Sequence, residues 1–238
     1  MSPSLIKLLT GSGIGSRRRI AAIIKRGGIS VNGVVVQSFN ESVDPAKDVI
    51  AIDGKPILVR TEPVIYLALN KPKGIISSTS DRRGFKTVID ILPEKHRQFR
   101  LYPVGRLDKD STGLIILTND GELALRLTHP RFEQEKEYVV RIGQNLKAED
   151  AMKLESGMLM DGSKTAPARF KALKYPPFSY SVTIHEGRKR QMRRMFAALG
   201  YRVLELKRVR IGSLRLASLA EGEVRELTPR EVQSLKSG

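Results

Sequence analysis

The strongest constraint on the fold is an apolar run, Leu114-Ile115-Ile116-Leu117, that directly follows a polar, glycine-flanked loop. A short apolar run bounded by turn residues predicts a buried strand, which the rest of its domain has to cover. The loop contains Gly105-Arg106-Leu107-Asp108 and therefore places a carboxylate at the edge of a rigid element. Catalytic groups are often held in this way, but turn aspartates occupy such positions for structural reasons. The loop alone leaves both interpretations open.

Composition limits the kind of protein. A chain of 238 residues with 40% hydrophobic residues can form one large domain or two smaller ones with real cores. Its 42 Lys and Arg against 25 Asp and Glu give a net charge of +17, and nucleic acid is the leading candidate for the polyanionic partner that this excess requires. The absence of cysteine excludes disulfides, thiolate metal sites and cysteine nucleophiles. With no apolar leader or membrane-length run, we expect a cytosolic protein without a bound metal.

The first 27 residues predict two short helices, one over 5–9 and one that follows Ser16 as N-cap and ends at Gly27. Basic residues gather at both ends of the second helix. Three arginines lie at its N-terminal end, where positive charge opposes the helix dipole. The excess of nine Lys and Arg over four Asp and Glu in residues 1–60 favours a phosphate-contacting patch that accepts this cost over a merely solvated basic face. The patch consists of Arg17, Arg18, Arg19, Lys25 and Arg26.

Two hairpins follow, each with a turn dipeptide between apolar segments, Asn32-Gly33 and Asp53-Gly54. The order of helix, helix, SRRR, ISVNG and IDGKPI resembles the αL (S4-like) RNA-binding motif, which a ribosomal small-subunit protein shares with several RNA-modifying enzymes. The resemblance covers residues 1–60 and implies that the basic patch of the second helix belongs to an RNA-binding surface.

A second domain is expected over 61–238, because Arg60-Thr61-Glu62-Pro63 interrupts the pattern and proline cannot donate to a strand ladder. Its strand-turn-strand beginning favours an α+β fold with a mixed, mainly antiparallel sheet and flanking helices. The strands are predicted at 64–69, 75–78, 114–117, 135–142 and 178–185. The helices are predicted at 87–92, 122–128, 148–154, from 186 onward, and after an N-cap at Thr228.

The densest positive charge lies in residues 186–215, with ten Lys and Arg against two Glu. So dense a cluster repels itself without an anion, which makes it a stronger sign of a polyanionic ligand than the N-terminal patch. The candidates for RNA contact in it are Arg188, Lys189, Arg190 and Arg194.

Several separated segments together resemble the ribosomal RNA pseudouridine synthases, in the branch that joins an αL module to a catalytic domain. They are LNKPKG at 69–74, PVGRLDKDSTGLIILTNDGELALRLTHP at 103–130, EKEYVV at 135–140, and EGRKRQMRRMF at 186–196 followed by LKRVRIG. The family breaks the N-glycosidic bond of a uridine in folded RNA, turns the base and rejoins it through carbon. The resemblance spans nearly the whole chain and implies no cofactor and no metal.

The resemblance also implies roles for individual residues. Asp108 matches the essential aspartate, as a nucleophile or a base at the junction of sugar and base. Tyr138 matches the tyrosine that lies against the flipped base, and Arg106 matches a position that fills the space vacated by the uridine. We expect Arg193 to pair with Asp108 and keep it ionised. Asp110 is assigned to a turn.

The segments THP and EKEYVV are closer to the large-subunit enzymes of this branch. We therefore expect a monomer that modifies 23S rRNA, either free or in an assembling subunit. One alternative is a small-subunit (16S) rRNA enzyme. Another is a non-catalytic rRNA-binding assembly factor, for which loss of Asp108, Tyr138 or Arg193 would have been the sign. A two-metal nuclease is disfavoured because its acidic cluster is lacking.

Overall fold

A computed structural model describes the chain over residues 3–59, 62–174 and 176–238. The chain forms two compact units, Met1–Val64 and Ile65–Gly238. The division falls four residues after the expected boundary at 60, and the first two residues of the expected linker, Arg60 and Thr61, lie outside the described residues. Within the described ranges, no helix has both the length and the apolar character needed to cross a membrane.

The first unit contains two helices and an antiparallel sheet of four strands in the order β2-β1-β3-β4. Its elements are α1 Leu5–Gly11, α2 Arg17–Lys25, β1 Ile29–Val31, β2 Val34–Val35, β3 Ile50–Ile52 and β4 Lys55–Pro56. Both predicted hairpin turns are present, and their residues have positive φ, 51° at Asn32 and 83° at Gly33 in the first, 48° at Asp53 and 76° at Gly54 in the second. Such turns match the twist of the flanking strands.

Helix α2 has the ends that the sequence predicts. The Ser16 hydroxyl oxygen accepts a hydrogen bond from the Arg19 N–H at 3.1 Å. At the other end, Gly27 has a φ of 72°, and the N–H groups of Gly27 and Gly28 close onto the carbonyls of Ile24 and Ile23. This is the pattern of a Schellman C-cap.

The second unit is built on a sheet of nine strands in which β7–β13 is the one parallel strand pair of the described residues. The main path runs β11-β12-β8-β13-β7-β5-β15, with β14 on β13 and β6 on β7. The nine strands are β5 Tyr66–Lys71, β6 Tyr102–Val104, β7 Thr112–Thr118, β8 Lys136–Ile142, β11 Arg169–Ala172, β12 Tyr180–Ile184, β13 Val203–Ile211, β14 Leu214–Arg215 and β15 Val224–Glu226. Two further strands, β9 Leu159–Met160 and β10 Ser163–Lys164, form a separate antiparallel hairpin. The helices are α3 Glu94–Arg97, α4 Gly121–Thr128, α5 Ala148–Ser156, α6 Gln191–Ala198 and α7 Pro229–Ser237. The predicted α+β class and mainly antiparallel sheet are confirmed.

Strand β7 is the buried strand that the apolar run predicts, and its four central residues are fully buried. Leu114 and Ile116 pack into one core with α4, while Ile115 and Leu117 pack into another on the opposite face. Helix α4 begins at an N-cap, Asp120, whose carboxylate accepts hydrogen bonds from the first turn. The chain therefore has a rigid strand at its centre, which holds the preceding loop in place.

Two predicted elements are wrong. Residues 75–78 form no strand, only an isolated bridge between Ile76 and Thr87. The predicted helix over 87–92 is a turn, in which Asp90 accepts hydrogen bonds from the N–H and hydroxyl of Thr87, and the Thr87 hydroxyl accepts from the Asp90 N–H. These reciprocal bonds form a capping arrangement that could begin a helix. Pro93, however, has no N–H to bond the Ile89 carbonyl and disfavours a helical conformation of Leu92, so the segment closes as a turn. A helix, α3, begins only after Pro93.

Candidate active site

A cleft of about 320 Å³ lies beside the loop that precedes β7. Its lining brings together Asp108 and Arg106 from that loop with Tyr138 and Lys136 from β8 and Arg208 from β13. Lys136 and Tyr138 are two residues apart on β8 and therefore lie on the same face of the strand. The lining also includes Arg188, Lys189 and Arg190 from the segment before α6.

The loop that carries Asp108 is held on both sides. The Leu107 N–H donates to the Ser77 hydroxyl oxygen and that hydroxyl donates to the Leu107 carbonyl, both at 3.0 Å. Farther along, Gly113 has a φ of 104°, and a Cβ there would lie 2.2 Å from the Arg208 carbonyl oxygen. Only glycine allows β7 and β13 to approach so closely. Asp108 therefore sits on a fixed backbone between two anchored points.

Tyr138 and Arg208 are directly opposed across the antiparallel pair β8–β13. The Arg208 Cζ lies 6.0 Å from the centre of the Tyr138 ring, and its Nε donates to the Leu114 carbonyl at 2.7 Å. Both side chains are nearly inaccessible to solvent, 8% exposed for Tyr138 and 2% for Arg208. Burial, together with the charge of Arg208, lowers the pKa of Lys136 to about 8. Lys136 and Arg208 are residues of this site that the sequence analysis did not identify.

The expected pairing of Arg193 with Asp108 is wrong. The Arg193 Nε lies 3.3 Å from the Asp110 carboxylate, though without hydrogen-bond geometry, and its two Nη atoms donate to the carbonyls of Asp110 and Val203 at 3.0 Å. The Lys109–Asp110 turn directs Asp110, rather than Asp108, toward the first turn of α6. Arg193 therefore holds the loop two residues beyond Asp108.

Asp110, which the sequence analysis assigned to a turn, links the loop to two arginines. It accepts hydrogen bonds from both Nη atoms of Arg190, at 3.1 and 3.2 Å, in addition to its contacts with Arg193. Burial raises the pKa of this carboxyl, but the Arg190 hydrogen bonds and the two nearby guanidinium charges outweigh it and the pKa is lowered. Asp110 thus stays ionised and ties the loop to the start of α6.

The segment 186–190 is a loop, because Arg190 has a φ of 52° and α6 begins only at Gln191. Arg188 uses its guanidinium to hold the β9–β10 hairpin, donating to the carbonyls of Met160, Ser163 and Lys164 at 2.6–3.0 Å. Arg194 pairs with the Asp161 carboxylate of the same hairpin through both Nη atoms, at 2.8 and 2.7 Å. Three of the four cations predicted to contact RNA here are therefore engaged within the protein.

The remaining predicted cations are accessible. Arg106 and Lys189 are exposed, and neither forms an ion pair with a described residue. In the first unit, Arg17, Arg18 and Arg19 are exposed and likewise form no ion pair within the described ranges. Arg26 pairs with Asp53 at 2.6 Å, a contact between two largely exposed side chains.

The fold and the cleft together define a class of enzyme. A half-buried carboxylate on an anchored loop, a tyrosine and several cations in one cleft suit chemistry on a flipped nucleotide. Residues 65–198 match the RNA pseudouridylate synthase family. The chain belongs to this family, which confirms the resemblance seen in its motifs.

Individual relatives cover almost the whole chain. Ribosomal large subunit pseudouridine synthase B of Bacillus subtilis is 42% identical over 237 residues, 98% of this chain and 95% of that protein. An uncharacterized RNA pseudouridine synthase of the same organism is 39% identical and covers 97% of each chain. A crystal structure described as a pseudouridylate synthase superposes with a TM-score of 0.70 at 32% identity, over 98% of this chain and 100% of that one. The fold of both units is therefore shared with a solved member of this enzyme class.

Proposed function

We propose that this pseudouridine synthase isomerises a specific uridine of large-subunit rRNA, with Asp108 as the essential carboxylate. The observation that carries the proposal is the meeting of Asp108 and Tyr138 in one cleft, from segments 30 residues apart in the chain. The large-subunit target is supported by the similarity to the B. subtilis enzyme named for it. We place its activity in the cytosol, on free rRNA or an assembling subunit, as a monomer.

The proposed reaction begins when the uridine leaves the base stack, because a stacked base cannot reach the cleft. The uracil then lies against Tyr138, while Arg106 enters the vacated space. Asp108 acts at the sugar–base junction, as a nucleophile or a base, and the N1–C1′ bonding electrons pass to the uracil. The base turns and C5 bonds to C1′, which releases Asp108 from any bond that it formed or returns the proton that it took. The C5 proton then leaves and N1 takes up a proton. Atoms and charge balance without any co-reactant.

RNA affinity is assigned mainly to the exposed cations of the two units, Arg17, Arg18, Arg19, Lys25 and Arg26 in the first and Arg106 and Lys189 in the second. We propose that residues 1–60 act as the S4-like RNA-binding module. Arg193 is a positioning residue, because its contacts fix the loop after Asp108 rather than reach the carboxylate itself.

Mapping of pseudouridine in rRNA from cells lacking the protein tests the target. We expect one 23S position to lose its pseudouridine and to regain it when the wild-type gene, but not Asp108→Asn, is returned. Loss of a 16S position would support the small-subunit alternative instead. Unchanged pseudouridine at every rRNA position would contradict the proposal.

Asp108→Asn should lower the single-turnover rate by about 10⁴-fold or more, because the amide can neither attack nor accept a proton. RNA affinity should stay within about twofold, since phosphate contacts dominate binding. Release of tritium from C5-labelled uridine measures the rate, and filter binding measures affinity. Asp120→Asn, at the α4 N-cap, is the control and should lower thermal stability while turnover persists. An equal loss of binding and turnover in Asp108→Asn would show that Asp108 has a structural role and not a catalytic one.

A further inference from the structure

Arg208 is a buried cation without a counter-charge. Arg208 is 2% exposed, and its guanidinium forms no ion pair with any residue in the described ranges. Nε is bonded to the Leu114 carbonyl, but Nη2 is buried and has no hydrogen-bond partner. Burying an unpaired charge and an unsatisfied donor is costly. A fold that keeps such a group leaves it available to something that enters the cleft.

The position of Arg208 indicates what would meet it. It lines the same cleft as Asp108, and it stands opposite Tyr138 across the β8–β13 pair, 6.0 Å from the ring centre. Lys136, on the same face of β8, adds a second cation to the lining. A base stacked on Tyr138 would present its polar edge to this side of the cleft. The group that reaches Arg208 is therefore a base edge with oxygen acceptors.

We propose that Arg208 donates through Nη2 to a carbonyl oxygen of the flipped uracil and stabilises the negative charge that develops on the ring during catalysis. The proposal rests on the proposed function and adds a catalytic subsite to it. The subsite takes a pyrimidine carbonyl, and its charge selects the anionic form of the base.

The chemistry requires such a group on every route open to Asp108. When the N1–C1′ bond breaks, its electron pair remains with the base and delocalises onto O2 and O4. Attack on the ring at C6 also places charge on a carbonyl oxygen, and removal of a ribose proton expels the same uracil anion. A fixed guanidinium in a site with little water stabilises that charge strongly. Once C5 bonds to C1′ and the C5 proton is lost, N1 is protonated and Arg208 returns to its starting state.

The first test compares Arg208→Met and Arg208→Lys with Arg210→Lys. Arg210 is the matched control, because it lies on the same strand, pairs with Glu137 and Glu135 at 2.9 and 3.1 Å, and is not part of the cleft lining. We expect Arg208→Met to lower the single-turnover rate at saturating RNA by about 10²–10³-fold, the loss typical of an oxyanion donor. Affinity should change by less than about threefold. Arg208→Lys should retain part of the rate, and Arg210→Lys all of it.

The second test asks whether Arg208 acts on charge in the base. Fluorine at C5 makes the uracil ring a more stable anion, so 5-fluorouridine at the target position should reduce the rate loss caused by Arg208→Lys. The reaction is followed as disappearance of the original nucleoside, because fluorine prevents the final proton loss. Equal losses on the two substrates would overturn the proposal, and this comparison decides the matter if Arg208→Met does not fold.

The outcomes separate this subsite from the proposed function. Full activity of Arg208→Met alongside an inactive Asp108→Asn would overturn the subsite and leave the synthase intact. A wild-type protein that forms no pseudouridine in rRNA would overturn the proposed function itself. Equal losses of rate and affinity in Arg208→Met would also overturn the subsite, because they would indicate a binding contact. Guanidinium ion added to Arg208→Ala, in which the truncated side chain leaves space for it, should restore part of the rate at unchanged affinity.

Discussion

The two basic clusters of this protein use their charge differently. In the first, Arg17, Arg18 and Arg19 are exposed at the N-terminus of α2 and form no ion pair within the described ranges. In the second, around the start of α6, the arginines hold the β9–β10 hairpin and the Asp110 turn. Charge density along the chain is higher in the second, yet four of the five cations around the start of α6, Arg188, Arg190, Arg193 and Arg194, form ion pairs within the protein. Positive charge in a sequence therefore does not distinguish free cations from those committed to the fold.

The difference has a physical consequence for RNA binding. Binding gains free energy when cations that are not already neutralised displace counterions from phosphates. An arginine in a bidentate carboxylate pair must first lose that pair. The first cluster is therefore the better candidate for RNA affinity, and the second for holding the shape of the cleft. Lys189, which is exposed and unpaired within the described residues, is the exception in the second cluster.

The largest effect on stability is expected from Arg193→Met. The side chain is 13% exposed and its Nη atoms bond two carbonyls, so its loss should lower the free energy of unfolding by about 2–4 kcal/mol. Turnover should fall at least about tenfold, because the loop that carries Asp108 loses an anchor. Urea unfolding and single-turnover kinetics measure the two effects. The adjacent Arg194→Ala, which breaks a largely exposed pair, should cost under about 1 kcal/mol; equal costs would remove the distinction between the two positions.

Replacing Arg17, Arg18 and Arg19 together by alanine should weaken RNA binding by about tenfold and reduce the slope of log K against log salt by about 1–2. Stability should stay the same or rise by about 0.3–1 kcal/mol, because the cations oppose the helix dipole. Filter binding across salt concentrations and thermal melting test this. Unchanged RNA affinity together with a lower melting temperature would mean that these arginines stabilise the fold and do not contact RNA.

Arg225 and Glu231 form an ion pair away from the cleft, and this pair is expected to contribute to the stability of the fold. Hydrogen bonds from Arg225, helped by the Thr228 capping box, lower the pKa of Glu231 to about 2. Because the folded pKa is depressed, this stability is present above the unfolded value near 4.5 and is lost as the pH falls toward 2. Glu231→Gln should therefore cost about 1 kcal/mol at pH 7, and the gap to wild type should narrow below about pH 4.5. Urea unfolding at a series of pH values checks it, and a gap independent of pH would exclude the ion pair as its source.

The smallest effect is expected from Asp161→Asn, which releases Arg194 from its pair. Affinity for rRNA should rise by about two- to threefold, with a slightly steeper salt dependence, since one more cation becomes available to phosphate. Stability should change by less than about 1 kcal/mol because both side chains are largely exposed. Weaker binding would show that the hairpin position, rather than the free charge, matters for RNA.

Short-range chemistry made much of the fold predictable. Asn32-Gly33 specified its hairpin, Ser16 and Gly27 specified the ends of α2, and the apolar run at 114–117 specified the central strand. These features depend on a few adjacent residues. The expected helix over 87–92 was wrong although Thr87 and Asp90 form the hydrogen bonds of a helix start, because Pro93 follows too soon for a helix to extend beyond one turn.

The sequence by itself determined the enzyme family, the central strand and the candidates Asp108 and Tyr138, because motif order and local periodicity are written along the chain. Only the tertiary structure decided that Arg193 meets Asp110 and that Arg208, in LKRVRIG, is buried beside Tyr138. Alternation along a strand puts Leu206 and Arg208 on one face, but it does not indicate which face the core covers. The partner of a long, flexible cation depends on the register and packing of elements that are distant in sequence, and on which carboxylates they bring within about 4 Å.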